Sequence, residues 1–167
     1  MRYLLSFIIF CLSSQAALSL EKEEMRSALE FIYQRQFYME IISANCGKAT
    51  AGVEGYQAFL ETWKIENRQY LDASKKMAIF MFQKSLPAVI GKAEALNTQT
   101  RFFEAMHRAA FEDARKTFSE SDTDSAILCI DISREALSGS LDIEKVAPSD
   151  IKVHEFSIEI GSNPFMG

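Results

Sequence analysis

Proline and glycine are scarce in this chain, three and seven in 167 residues. Long stretches therefore carry no helix breaker, which favours helices of several turns over a fold of strands and tight turns. Histidine occurs only twice. Glu104-x-x-His107 has the spacing of half a di-iron carboxylate site, but the second Glu-x-x-His that such a site needs is missing. The other histidine, His154, lies in the C-terminal tail. His107 falls beside Phe103, Ala110, Phe111 and Ala114, as a histidine at a core margin does. No Gly-x-Ser-x-Gly, phosphate loop or Cys-x-x-Cys-His is present, so the sequence predicts no catalytic residues, no metal and no cofactor. Basic residues are outnumbered, and the formal net charge is −5. An acidic balance with scattered cations speaks against nucleic acid as a partner and against docking on anionic lipid.

Long apolar runs are also lacking, except at the start. Arg2 is the only charge in the first nineteen residues. An apolar segment from Tyr3 to Leu12 follows it, then the small and polar residues of Ser13 to Ser19. This is the pattern of a secretory signal peptide, residues 1–19, with cleavage after Ala16 or Ser19. The segment is short for a membrane span, which takes about 20 residues. Phe10, where a small residue is needed, speaks against acylation of Cys11. The predicted location is periplasmic or secreted, with no membrane span after cleavage.

Cleavage would leave two cysteines, Cys46 and Cys129. In an oxidising compartment two cysteines predict one disulfide. Closing a loop of about 80 residues would stabilise the fold by roughly 4–5 kcal/mol through chain entropy.

The remaining chain predicts an all-α domain over residues 20–147, an antiparallel bundle of four to five helices. A first helix spans about Glu21 to Ala44, with Met25, Ala28, Leu29, Ile32, Gln36, Met39 and Ser43 on one stripe and Gly47 as a left-handed cap. Thr50 caps a second, running to about Ser85. There Tyr56, Trp63, Tyr70 and Met77 repeat every seven residues, as do Leu60, Asn67, Ser74 and Met81. Met77 to Phe82 is apolar all round, a pattern of burial on every side. Pro87 ends or kinks this helix. A short helix over Ala88 to Leu96 and a break at Asn97-Thr98 follow. The third helix spans about Thr98 to Phe118. Ser121-x-x-Asp124 opens the fourth, about Asp122 to Ser138, and Gly139 closes it. In residues 148–167, Ile151-Lys-Val153 and Phe156-Ser-Ile158-Glu-Ile160 alternate, with a slip at His154-Glu155. Alternation predicts an extended tail, packed on the bundle or pairing with a partner or a second copy as a homodimer.

One polar cluster interrupts the seam of the second helix. Trp63, Asn67, Tyr70, Ser74 and Met77 could floor a small ligand pocket with aromatic walls. Alternatively, Asn67 is a buried amide that sets helix register. Phenylalanine and methionine left over from the helix stripes would make an apolar groove for a partner helix or an acyl chain. Together these features predict a non-enzymatic, exported protein-interaction module, such as an inhibitor, immunity protein or envelope adaptor. The alternative is a carrier of a small apolar or aromatic ligand in the bundle core.

Overall fold

The computed structural model describes the backbone of residues 2–121 and 123–162, and side chains from residue 23 to 161 except residue 122. The signal-peptide expectation, with Cys11, falls on side chains outside the described residues. The described chain is all helix: α1 (Arg2–Ala49), α2 (Leu60–Glu66), α3 (Arg68–Ile79), a π-helical segment (Phe80–Ser85), α4 (Leu86–Ile90), α5 (Lys92–Ser119), α6 (Ser125–Leu137), α7 (Ile143–Val146) and α8 (Val153–Ser162).

Helix α1 is the hub and packs against α2, α3, α5, α6 and α8. Its stripe buries Ala28, Leu29, Ile32, Met39, Ile42 and Cys46 completely, the three- and four-residue spacing of one helix face. Directions follow from paired residues. Gln34 meets Asp113 and Tyr38 meets Thr117, so α1 and α5 run parallel. Glu40 meets Lys64 of α2, and further back along α1 Leu29 faces Met77, so α2–α3 run antiparallel to α1. Cys46 bonds Cys129 while Arg35 reaches Leu141, so α6 is antiparallel to α1 as well. The main helices thus alternate in direction along the chain. The Cys46–Cys129 disulfide, with Cα atoms 5.2 Å apart, ties the end of α1 to the first turns of α6.

Several boundaries depart from expectation. Gly47 caps nothing: α1 continues through it to Ala49. Thr50 ends α1 instead of starting a helix, its N–H and hydroxyl both donating to the Cys46 carbonyl. Left-handed glycines at 52 and 55 then turn the chain, and the next helix begins ten residues later, at Leu60. Pro87 does not end the helix. Its ring would clash with the carbonyl four residues back in a regular helix. The chain widens instead: the Leu86 N–H donates to Met81 O, five residues back, and helix continues to Ile90. The break falls at Gly91, with φ of 82°, and α5 runs unbroken through Asn97-Thr98. Asp124 caps α6 alone, accepting from the Ala126 N–H. Gly139 does close α6: the N–H groups of Gly139 and Ser140 donate to Ala136 O and Glu135 O, the Schellman arrangement.

The extended tail is a second correction. Residues Val153–Ser162 form α8, which buries Val153, Phe156, Ser157 and Ile160 against the bundle and packs on α3. The slip at His154-Glu155 is the reason. Positions 153, 156, 157 and 160 follow helical spacing, and the alternation was a fragment of it. Of the apolar residues expected to pair with a partner or a second copy, Val153, Phe156 and Ile160 are thus covered by the chain's own bundle, while Ile158 stays exposed.

Candidate functional site

Burial fades along the seam of α2 and α3. Trp63, Asn67, Tyr70 and Ser74 are almost wholly buried, whereas Met77 and Met81 are half-exposed. The four buried members do not enclose a cavity. They hold the chain between α6 and α8. The Trp63 indole donates to Leu141 O at 3.0 Å. Asn67 sits at the break between α2 and α3. Its amide nitrogen donates to Trp63 O and Asp142 Oδ1, and its oxygen accepts from the Ile143 N–H at 2.7 Å. Every polar atom of the Asn67 amide is thereby engaged, as a buried amide requires. The Tyr70 hydroxyl donates to Glu144 Oε2. Burial, and next the Glu144 carboxylate that accepts this bond, push the Tyr70 phenol up to about 12. Ser74 donates to Leu71 O, and burial raises the pKa of the neighbouring Tyr33 hydroxyl.

Met77 faces elsewhere. With Met25, Leu29, Phe80, Met81, Phe82, Leu86, Phe102 and Met106 it lines an open groove of about 930 Å³ between α1, the α3–π–α4 run and α5. The turn from Met77 to Phe82, expected to be buried on every side, is buried only at Ala78 and Phe82. No described helix covers its remaining side. Four of the chain's seven methionines line this groove. Unbranched thioether side chains adapt to irregular apolar partners. Aromatic rings stiffen the floor: Phe82 lies 5.4 Å from Phe102, and Phe103 lies 4.9 Å from Tyr33, centroid to centroid. The π-helical segment itself supplies Phe80, Met81, Phe82 and Ser85. Such widened turns occur frequently at functional sites.

The rim is charged. Arg26 pairs with Glu30 and Arg101 with Glu94. Past Leu86 the α4–α5 corner projects Val89, Ile90 and Leu96 into solvent, with Val89 78% exposed. The run from Lys75 to Arg101 carries five cations and one carboxylate, while the rest of the chain has thirteen cations and twenty-two carboxylates. This wall is basic within an acidic chain, while the α1 wall brings Glu30 beside Arg26.

His107 is exposed and packs its ring against Phe37 at 5.5 Å. Among the described residues no group of three His, Cys, Asp or Glu is placed to hold a metal ion, and no helix is long and apolar enough to cross a membrane. Comparison with family models, with curated proteins and with solved structures finds no match to this chain.

The groove residues were visible in the sequence one by one, but as core. The available signal was the excess of methionine and a six-residue turn apolar on all sides, more apolar surface than one neighbouring helix can cover.

Proposed function

We propose that the protein is an exported, non-enzymatic interaction module whose methionine-lined groove receives an acidic amphipathic helix from a partner protein. The groove carries this reading. Its lining runs from Met77 to Leu86 along one wall, roughly 13 Å at 1.5 Å per residue, a length matching two to three turns of a docked helix. Apolar positions at i, i+3, i+4 and i+7 would fill it, the usual helix-in-groove pattern. The excess of Lys and Arg along the Lys75–Arg101 wall favours acidic residues on the flank of that helix that faces it. A carrier would bury most of a small ligand's surface. This groove lies open along its length, and the polar seam at Asn67 is occupied by the chain's own residues 141–144, so the carrier reading comes second.

A photo-crosslinking residue at Ala105, on the open wall, tests the proposal in the native host. The expected product is a protein adduct whose captured peptide is acidic and amphipathic. It should be absent when the probe replaces Ile127 on α6, and much reduced when Met81→Glu puts a charge in the groove. A small-molecule adduct retained in native mass spectra, with no protein adduct, would overturn the reading in favour of a carrier.

A further inference from the structure

A second cavity lies between α1 and α5, farther along the bundle, with a volume of about 320 Å³. Phe31, Gln34, Arg35, Tyr38, Asp113, Lys116 and Thr117 line it. Arg35 is its unusual member. Its guanidinium stacks over the Tyr38 ring at 4.8 Å, and Nη2 donates to Leu141 O at 3.3 Å. Nε is sealed from solvent with no hydrogen-bond partner. No described carboxylate forms an ion pair with it. Burial is the first influence on its pKa, which it lowers, and Tyr38 offsets that only in part. Buried cations in folded proteins are ordinarily paired. Arginine carries five donors in a planar fork, and the protein engages one of them here.

The walls are arranged around that deficit. Lys116 brings a second cation, and the Thr117 hydroxyl, which donates to the Asp113 carbonyl, accepts the Tyr38 hydroxyl proton at 3.0 Å, so the two cations are left as the donors for a ligand. The one carboxylate on the wall, Asp113, already accepts from Gln34 Nε2 at 2.8 Å. That bond turns part of its charge toward α1.

We infer that this cavity is a binding site for a small anionic group, a carboxylate or a phosphate, held by the Arg35 guanidinium and by Lys116. Charge-assisted hydrogen bonds from a guanidinium and an ammonium suit either group. None of the residues that line this site lines the apolar groove. It would respond to anions whether or not the groove takes a helix.

The test uses the whole protein in low-salt buffer, titrated with inorganic phosphate in one arm and succinate in another, with sodium chloride matching ionic strength. Melting temperature and calorimetry give the readout. One anion or both should bind saturably and raise the melting temperature above the chloride control. Lys116→Gln, on the exposed wall, should weaken binding at least tenfold, and Arg35→Met should abolish it. Arg115→Met, paired with Glu112 outside the cavity, should change nothing. If neither phosphate nor succinate exceeds chloride, or if Lys116→Gln binds as well as the parent chain, the inference fails. Both of these outcomes can be read whether or not Arg35→Met folds.

Discussion

The two ends of this bundle are built on different physics. At one end, the close of α1, the loop at 50–59, α2, α6 and α7 are joined by directional bonds. Cys46–Cys129 is covalent, and Ser133 Oγ donates to Gln57 O and accepts its N–H. Trp63, Asn67 and Tyr70 bond to successive residues between Leu141 and Glu144. At the other end, α1 around Met25 and Leu29, the π-helical segment, α4 and α5 near Phe102 meet mainly through methionine, phenylalanine and leucine. Hydrogen bonds and a disulfide specify one arrangement, whereas apolar contacts among flexible side chains tolerate several. The rigid end fixes where the helices emerge, and the soft end is left free to accommodate something else.

Removing the disulfide should break this contrast most severely. The Cys46→Ala/Cys129→Ala variant is expected to lose about 4 kcal/mol, roughly 10 °C in melting temperature. Hydrogen exchange should accelerate first in α6 and the 50–59 loop. If α4 and the groove walls accelerate equally, the two ends are one cooperative unit and the contrast is wrong.

Asn67→Ala comes next. It leaves the Ile143 N–H and the Asp142 carboxylate without their partner inside the protein, at a cost of about 2–3 kcal/mol. Chemical denaturation should show the loss with the helical circular dichroism of the folded state unchanged. A cost below about 0.5 kcal/mol would mean that the amide does not hold the chain between α6 and α8.

Tyr70→Phe should have the smallest effect at neutral pH, about 1 kcal/mol for one hydrogen bond, but it carries a pH signature. The phenol's pKa is about 12 in the folded protein against an ordinary 10. Its protonated form is therefore the one that folding favours. The stabilisation is fully present below pH 10 and is lost as pH rises from 10 to 12. Thermal melts over that window should fall more steeply for the parent chain than for Tyr70→Phe. Parallel curves would show that burial and Glu144 do not hold the proton on Tyr70 in the folded protein.

Much of the bundle was legible in the residues. The α1 stripe, the face of α6 that carries Cys129, and the closing glycine at 139 all follow from helical periodicity and from backbone conformations that glycine adopts readily. Boundaries failed where a local signal had two meanings. Thr50 can cap a helix start or donate back to a helix end, and Pro87 can stop a helix or sit in a widened turn. Residues 151–160 fit alternation and helical spacing about equally over so short a stretch. The candidate site failed for a different reason. Asn67 reads as a polar residue in an apolar seam, but its partners lie some 75 residues away. The groove reads as core, because periodicity says which face is apolar and nothing about whether another element covers it.

The sequence by itself determined the helical class, the apolar faces and the two cysteines available to pair, because these depend on local spacing and composition. Only the tertiary structure decided which apolar face went uncovered, and that Arg35 was buried without a counter-charge. Both are properties of what neighbouring helices bring, or fail to bring, across distances along the chain that no local pattern encodes.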